Sequence, residues 1–523
     1  MKKTYKFCLS LAKIDKKNGK ALVGLLLSLC SNLSARHPVG LQASPYYQYH
    51  YSMTNKLLSD ISNRLSQFDY GQDEGVANSC LDLDELQDAL LCLFREQLPK
   101  SSASSDTIKL MSDFTPLHKP HSRCLANRGY VSKSNNKIAS NRSIEIGYYY
   151  SYINLGLYGE AYPHSWSLPL NVVRVGRDND KLEVACRQLD SLLSSDSFGL
   201  KDRSLIVSLA DSGYTQPSYI CPLIEKYDSK LLIINRLRSS MKVYQAYTGR
   251  QANQGRGKCY DDEFYHLHHD TSRVYYSPTY KERRTVKQNP IFNRPTNDYT
   301  ELEYATSRGR QIIVELYRWN DLLLRGTKDC TMSDKPFDVI AARCIDKKTG
   351  ELIFKKDQFI GLWGKQRTTY DTAAAFKDYR HRYDIEVHNR FSKQQLLLDK
   401  YLTANIAHLD AWAWVVAIAY WLLFVASFEV KACPTKWQQY LPKYKEALAS
   451  KSKVPLSAAM TRKAANNFFS NFDLKPFAPK VRINGKGRKK GTKLVARPKR
   501  KPQKKDKKAR QKTQIKLISE KLE

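Results

Sequence analysis

The sequence predicts a mixed α/β protein with a helical N-terminal region, a β-rich insertion and a basic C-terminal extension. Between residues 204 and 237, short β-branched apolar runs alternate with a helical stretch, which is typical of an α/β sheet. Residues 241–366 are rich in Tyr, Arg and Asn and contain several short strand-like runs. Residues 368–433 contain neither Pro nor Gly, so long helices are permitted there.

The first elements are predicted to be helices followed by a short strand. Residues 1–105 form the helical N-terminal region, and the helical spacing of apolar residues is clearest at 81–94 (LDLDELQDALLCLF). A Ser-rich linker then leads to a short alternating run at 107–111. We expect this run to be a strand that ends at Asp113, before a turn around Pro116.

Residues 106–240 form the first part of the predicted core. Within it, 204–210 (SLIVSLA) and 230–237 (KLLIINRL) are predicted strands separated by a helix, and Asp211 directly follows the first of them. The insertion, residues 241–366, then interrupts this core.

The core resumes with helices at residues 367–433, and a basic region follows at 434–523. Beyond about residue 480 the composition is too polar to bury a core, so we expect disorder there.

The charge of the chain predicts a polyanionic partner. Its 523 residues include 42% hydrophobic ones, so it can bury a core. The formal net charge is +35 and the pI is about 9.6, and nucleic acid is the commonest partner of such a surface. The eleven cysteines are scattered without a CxxC pair, which favours reduced structural thiols over a zinc site.

A long apolar run at residues 411–428 (AWAWVVAIAYWLLFVASF) has two interpretations. It is nearly long enough to span a bilayer, and its aromatic residues would suit a membrane interface. However, Asp410 and Glu429 border it, and no second span of this kind is present in the sequence. We therefore predict a buried core helix and no membrane association.

Residues 379–393 (YRHRYDIEVHNRFSK) carry the most informative pattern. If this segment is a single helix, four side chains lie within roughly 60° of one face. They are Tyr379, Arg382, Glu386 and Lys393, and Arg390 joins the same face. One carboxylate flanked by cations suits the binding of a metal ion and of phosphates around it. The alternative is a surface helix with ion pairs between successive turns.

The spacing of these residues resembles a family signature. Tyr, two residues, Arg, three residues, Glu, six residues and Lys is the pattern by which one large group of DDE insertion-sequence transposases is recognised, and every position matches. Residues 383–421 are similar to the family's glutamate helix and the apolar helix behind it, and similarity extends from about residue 108 to 501. The resemblance implies an RNase H-like core, which is a mixed sheet with flanking helices, interrupted here by the β-rich insertion.

The family also requires two aspartates, each at the end of a core strand. Asp211 in SLIVSLADSGY resembles the second of these, and the alternative is an aspartate that caps a helix. Asp113 in LMSDFTPLHKPHSRCL resembles the first, because a strand precedes it and a Thr-Pro turn follows. The downstream segment IEIGYYYSY contains no aspartate, which argues against placing the first one there.

The resemblance implies a site of three carboxylates that bind metal. Asp113, Asp211 and Glu386 are expected to be both the catalytic residues and the metal ligands. Oxygen ligands suit Mg²⁺, with Mn²⁺ as a substitute, and phosphodiester cleavage of this kind uses two ions. The side chains expected to contact DNA are Tyr379, Arg382, Arg390 and Lys393.

The implied function is a DNA transposase that cleaves strands at transposon ends and transfers them to target DNA. Its partners would be double-stranded DNA, contacted partly by the N-terminal region, and a second copy of the chain in a homodimer on DNA. We expect a cytoplasmic, nucleoid-associated protein of bacterial origin. The alternative is a transposase-derived protein that binds DNA without catalysis.

Two further features have competing interpretations. The cluster His266, His268, His269 and Asp270 has the residue types of a transition-metal site, but histidines in a polar loop are more often solvated. Trp319 in the insertion could stack on an unpaired base, although a core position is more common for tryptophan.

Overall fold

The structure is a computed structural model of the chain. It describes residues 3–14, 18–47, 49, 51–65, 85–103, 105–132, 144–159, 162–176, 180–249, 257–268, 271–277, 282–305, 309–440, 456–472 and 498–502. The chain divides into two compact units. Unit 1 comprises Met1–Ser105, Asp113–Lys201 and Asp384–Glu523, and unit 2 comprises Asp106–Ser112 and Asp202–Tyr383. Most of the predicted disordered tail lies outside the described residues.

Helices and strands occur in both units. The described helices are α1 (Lys3–Ile14), α2 (Gly19–Ser31), α3 (Tyr51–Arg64), α4 (Glu85–Gln97), α5 (Lys100–Ala103), α6 (Lys181–Ser194), α7 (Pro217–Tyr227), α8 (Thr372–His381), α9 (Tyr383–Gln394), α10 (Ile406–Ser427) and α11 (Ala458–Phe469). The described strands are β1 (Thr107–His118), β2 (Gly129–Ser132), β3 (Ile144–Gly159), β4 (Tyr162–Val175), β5 (Leu205–Ala210), β6 (Leu231–Leu237), β7 (Lys242–Ala246), β8 (Tyr260–His266), β9 (Ser272–Ser277), β10 (Glu282–Lys287), β11 (Asp298–Ala305), β12 (Gln311–Leu322), β13 (Phe337–Asp346) and β14 (Gln358–Trp363).

Ten of the described strands form one mixed sheet with flanking helices. Its strand order is β11-β12-β13-β14-β6-β5-β1-β3-β2, with β4 paired to β3. The pairs β1–β5 and β5–β6 are parallel, whereas β6–β14 and the strands beyond β14 are antiparallel. The predicted mixed α/β class is therefore confirmed.

Unit 2 is built around the parallel strands β5 and β6. Strand β5 (LIVSLA) is buried along almost its whole length, as expected for a strand covered on both faces. Helix α7 lies between β5 and β6 in the chain and packs on β6. Strands β11–β14 continue the large sheet, whereas β7–β8 and β9–β10 form two separate two-stranded sheets. The predicted insertion thus contains strands of the large sheet and also the strands of the two small sheets.

Unit 1 has the apolar helix α10 at its centre. Helices α1, α2, α3 and α11 and strand β4 pack around it. In the described part of the chain, α10 is the one helix long and apolar enough to cross a membrane, and its apolar window is entirely buried within the protein. A helix that is hydrophobic on all sides must be covered on all sides, and here protein covers it. The structure therefore agrees with the predicted core helix.

The first strand is longer than the sequence predicts. We expected β1 to end at Asp113 before a turn at Pro116, but it continues to His118. Farther along, the Lys119 N–H donates to the carbonyl of Ile146 on β3 (2.7 Å). Gly147 allows this close approach, since a Cβ there would lie 2.0 Å from the Leu117 carbonyl oxygen. The strand β3, which is distant in the sequence, thus keeps the backbone extended where the local turn residues predicted the end of β1.

Candidate functional site

The two predicted aspartates follow paired residues of neighbouring parallel strands. In unit 2, Ser112 of β1 is the register partner of Ala210 of β5. Asp113 and Asp211 are the next residues on the two strands. Asp211 comes directly after the last residue of β5, whereas Asp113 lies inside β1, which continues to His118. Both side chains are half-buried.

In unit 1, Asp113 contacts the helix that carries the predicted glutamate. The Asn389 side-chain amide donates to Asp113 Oδ2 at 2.9 Å. Asn389 lies on α9, three residues after Glu386, and residues at this spacing share a helix face. Glu386 is half-buried in the first turn of α9, where the helix dipole stabilises a carboxylate. Asn389 therefore links Asp113 to the helix of Glu386.

The sequence did not predict the role of Asn389. It lies inside the segment that matches the family signature but is not one of its four positions. Its place one turn after Glu386 was the available signal, although helical spacing alone does not show that Asp113 is its partner.

Lys393 adds positive charge to this part of unit 1. Burial lowers its pKa from 10.5 to about 8, and the charges of Asp399 and Asp113 partly oppose that effect. The ammonium group remains protonated at neutral pH. Arg390, on the same helix, is exposed. Arg390 and the protonated Lys393 are cations that can bind phosphate, and Lys393 is close enough to Asp113 to sense its charge.

A second buried lysine supports the loop that follows α9. Lys119 is 2% exposed, and its Nζ donates to the carbonyls of Asp399 (2.7 Å) and Tyr401 (2.8 Å). Burial lowers its pKa to about 8. Lys119 fixes the loop that contains Asp399, one of the two acids acting on Lys393. No sequence pattern pointed to Lys119.

In unit 2, Asp211 occupies the N-cap position of a 3₁₀ turn, but its side chain does not cap that turn. It precedes the 3₁₀ turn Ser212–Tyr214, and its carboxylate makes no capping hydrogen bond there. The capping alternative for this residue is therefore wrong. The turn is held instead by the backbone, since the Tyr214 N–H donates to the Asp211 carbonyl at 2.9 Å.

Tyr379 lies within the electrostatic influence of Asp211. Burial raises the pKa of Tyr379 to about 12; Arg382 and Arg236 act in the opposite direction, and Asp211 reinforces the rise. The structure thus brings Tyr379, Arg382 and Asp211 into one neighbourhood of unit 2. Tyr379 is only 3% exposed, so most of its ring belongs to the core.

The signature residues do not share one uninterrupted helix, contrary to our prediction. Helix α8 ends at His381 and α9 begins at Tyr383, with Arg382 between them. The Arg382 N–H bonds to the carbonyl of Tyr379, three residues earlier, as in a tightened last turn. The backbone of Arg382 stays in the right-handed helical region (φ −51°, ψ −32°). The interruption is therefore a change in the hydrogen-bond pattern and not in the backbone conformation.

The other sequence candidates are less suited to a site. Trp319 is completely buried, and its Nε1 donates to the Arg294 carbonyl at 3.1 Å, so the core interpretation is confirmed. The rings of His266 and His268 lie 5.6 Å apart, while His269 and Asp270 lie outside the described residues. Over the described ranges, no three His, Cys, Asp or Glu side chains form a ready-made metal cluster. All ten described cysteines are free thiols.

The three predicted carboxylates can act as oxygen ligands, and positively charged side chains lie near them. Asp113 and Glu386 in unit 1, and Asp211 in unit 2, offer half-buried carboxylates, and lysine or arginine accompanies them in each unit. Carboxylates of this kind suit a hard divalent cation, and the flanking cations suit phosphate. No family model matches the chain, and no curated protein matches it significantly.

Proposed function

We propose that this chain is a DDE-type DNA transposase that cleaves DNA strands at transposon ends and transfers them to target DNA. The observation that carries the proposal is the register of β1 and β5. Asp113 and Asp211 directly follow the paired residues Ser112 and Ala210; Asp211 comes after the end of β5, and Asp113 lies within β1, where the pairing with β5 ends. The hydrogen bond from Asn389 to Asp113 adds the helix of Glu386.

The sheet supports an RNase H-like core as part of this proposal. The contiguous strands β4-β3-β1-β5-β6 form a mixed sheet in which β1, the strand of Asp113, lies between β3 and β5. Helix α9, which carries Glu386, and the buried helix α10 follow in the chain. Such an arrangement is compatible with a catalytic core in which two neighbouring strands and a later helix each contribute one carboxylate.

The donor set fits a pair of magnesium ions. Asp113, Asp211 and Glu386 would hold them, because carboxylate oxygens are the ligands that Mg²⁺ and Mn²⁺ prefer. When bound, two such ions supply activation of the attacking oxygen and stabilisation of the leaving oxygen in phosphodiester cleavage.

The surrounding residues would orient the carboxylates and bind the DNA. Asn389 fixes one oxygen of Asp113, so that its other oxygen is directed elsewhere. Lys393 and Arg390 on α9, together with Arg382, would contact phosphates. The proposed order is hydrolysis at the element's end followed by attack of the freed 3′-hydroxyl on target DNA, in a homodimer that holds two ends.

A nicking assay tests the proposal. The substrate is a supercoiled plasmid that carries the gene with its native flanking DNA, incubated with the full chain and Mg²⁺ or Mn²⁺. We expect metal-dependent nicks near the ends of the element. Asp211→Asn and Glu386→Gln should each reduce nicking to background, because each removes a charged metal ligand while preserving side-chain shape. Duplex binding, measured by mobility shift, should remain nearly unchanged.

Matched carboxylates provide the control. Asp196→Asn in unit 1 and Asp329→Asn in unit 2 change exposed residues outside the proposed site, and both variants should nick like the unmodified chain. If the purified protein binds DNA but never cuts it with either metal, the enzyme proposal is wrong and the binding-only alternative stands. If the control variants lose nicking equally, the loss does not identify a metal site.

A further inference from the structure

The chain turns back on itself directly after helix α9, which carries Lys393. We call residues 395–401, which follow α9 in unit 1, the α9–α10 loop. The Leu398 N–H donates to the carbonyl of Ser392 at 3.0 Å, so the loop is bonded to the last turn of the helix. Leu397 adopts the left-handed conformation (φ 61°), which a residue other than glycine keeps only where its surroundings compensate for the strain. The conformation of this loop therefore depends on contacts from outside it.

Helix α10 supplies some of these contacts. Trp412 Nε1 donates to the carbonyl of Leu397 at 3.1 Å, and the Trp412 ring stacks on Tyr401 with centroids 5.3 Å apart. Leu397 and Tyr401 are both buried. The carbonyl of Tyr401 lies in this buried region, where an acceptor requires a hydrogen-bond donor.

Lys119 supplies that donor from the end of β1, the strand of Asp113. Its Nζ donates to the carbonyls of Asp399 and Tyr401 at 2.7 and 2.8 Å. The backbone of Lys119 is itself held, because its carbonyl accepts from Arg128 Nη1 at 3.2 Å. Lys119 therefore links the strand of Asp113 to the α9–α10 loop through a fixed backbone and a buried ammonium group.

The α9–α10 loop determines the surroundings of Lys393. It is bonded to Ser392, the residue before Lys393, and the charge of Asp399 acts on the Lys393 ammonium group. Asp399 Oδ2 pairs with Lys400 Nζ at 3.3 Å, whereas Oδ1 is buried and has no hydrogen-bond partner in the part of the chain that the structure describes. A displaced loop would therefore move both the backbone and the negative charge beside Lys393.

We propose that Lys119 is a positioning residue for phosphate binding, which anchors the α9–α10 loop to the end of β1 and thereby holds Lys393 where it meets DNA. The inference rests on the proposed function, in which Lys393 contacts a phosphate. Lys119 is only 2% exposed, so it does not contact DNA itself. Its contribution to DNA affinity must pass through Lys393, or else come from its charge at a distance.

A double-variant cycle on duplex affinity separates these two routes. The probe is a fluorescein-labelled duplex oligonucleotide, titrated with the full chain in EDTA at neutral pH. Lys393→Gln should reduce the slope of log affinity against log salt by about 0.9, the contribution of one phosphate contact on a duplex. Lys119→Met should reproduce this loss, so that its deficit is about 3.5-fold larger at roughly 50 mM than at roughly 200 mM salt. The double variant should lose no more than Lys393→Gln alone, because the two residues act through one contact.

Lys201→Met is the matched control. It removes the same charge from an exposed lysine of unit 1, which pairs with Asp196 at 3.3 Å, and its effect should be the same with and without Lys393. If Lys119→Met does not fold, Lys119→Gln takes its place, since it keeps a donor that reaches less far. An intermediate loss that disappears in the Lys393→Gln background is then expected. Losses that add to that of Lys393→Gln, or no loss in the Lys119 variant, would overturn the proposal.

The binding assay also separates this inference from the proposed function. It contains no divalent metal, so a chain that never cuts DNA can still show the coupling between Lys119 and Lys393. Conversely, metal-dependent nicking that requires Asp211, together with additive losses in the cycle, would leave the proposed function standing and overturn only the role of Lys119.

Discussion

Lys393 is a cation whose charge depends on pH near neutrality. Its pKa is lowered from 10.5 to about 8 because the side chain is buried. Below pH 8 the ammonium group is protonated and can bind phosphate. Above that value it becomes neutral, whereas an exposed lysine stays charged for about two further pH units.

We therefore expect the affinity for duplex DNA to fall as the pH rises through about 8, because Lys393 loses its charge and with it the attraction to phosphate. Lys393→Arg should remove this step because arginine stays protonated in proteins, and Lys393→Gln should lack the contribution at every pH. Fluorescence anisotropy at fixed salt, from below pH 7 to above pH 9, measures the effect. Identical profiles for the unmodified chain and Lys393→Arg would contradict the assignment.

Asn389 is expected to position Asp113. Its amide donates to Asp113 Oδ2, so its loss would remove one of the contacts that orient that carboxylate. Removal of an outer hydrogen-bond partner of a metal ligand typically costs about 10- to 100-fold in metal affinity or activity. Asn389→Leu should accordingly raise the Mg²⁺ concentration needed for half-maximal nicking, with partial recovery at saturating Mg²⁺.

Gln394→Leu supplies the control for Asn389. Gln394 is exposed on the same helix, and its substitution should leave the Mg²⁺ dependence unchanged. A uniform loss of nicking in Asn389→Leu at all Mg²⁺ concentrations, accompanied by a lower unfolding midpoint, would indicate a purely structural role.

Among the elements, helix α10 forms a buried ion pair with strand β4. Arg174 on β4 donates through Nε to Asp410 on α10 (3.1 Å), and the Tyr150 hydroxyl on β3 donates to the same carboxylate (2.6 Å). The side chains of Arg174 and Asp410 are 9% and 4% exposed. Removal of one partner leaves the other buried charge without its ion-pair partner, which costs more than the pair contributes.

We expect Arg174→Met to destabilise the protein by about 3 to 5 kcal/mol. The double variant Arg174→Met/Asp410→Leu should recover most of that loss, because no buried charge remains. Denaturant unfolding followed by tryptophan fluorescence reports the change. Arg187→Ala, which removes an exposed pair with Glu183, should cost less than about 1 kcal/mol. If Arg174→Met lowered the free energy of unfolding as little as the Arg187→Ala control does, the burial of Asp410 would not depend on Arg174.

Elements defined by local sequence could be predicted, whereas features defined by contacts between residues far apart in the chain could not. Strand β5 was predictable because its run of buried β-branched and apolar residues is local, and so was α10 from its composition. The continuation of β1 beyond Asp113 was not, since it is accompanied by bonding to β3, whose position no local pattern specifies. Likewise, the signature predicted Glu386 but not its neighbour Asn389, whose partner is 276 residues away.

The interruption at Arg382 shows a second limit. Absence of Pro and Gly permits a continuous helix but does not require one. The predicted common face assumed uniform helical geometry from Tyr379 to Lys393, whereas the hydrogen bonding changes after His381. The chain nonetheless brings Tyr379 and Arg382 near Asp211 in unit 2. The residue types were therefore informative even where the assumed helix was not continuous.

For the complete chain, the dominant property is a net charge of +35. Part of that charge lies in the Lys-rich C-terminal extension. The described residues 498–502 attach this extension to unit 1, because the Arg500 N–H donates to the Arg123 carbonyl (2.9 Å) and Arg128 Nη2 donates to the Arg500 carbonyl (2.8 Å). Residues 498–502 are thus held against a folded part of unit 1.

We expect the residues after Pro502 to strengthen DNA binding without reading sequence. Truncation there should weaken binding to any duplex at low salt, and the deficit should vanish as salt rises, because each lost phosphate contact removes about 0.9 from the salt slope. The positions of plasmid nicks should not change. A variant with residues 503–523 scrambled at constant composition should bind like the unmodified chain, since charge and not order carries the effect. If the scrambled chain bound as weakly as the truncated one, or if truncation affected one duplex sequence selectively, the extension would be a specific contact instead.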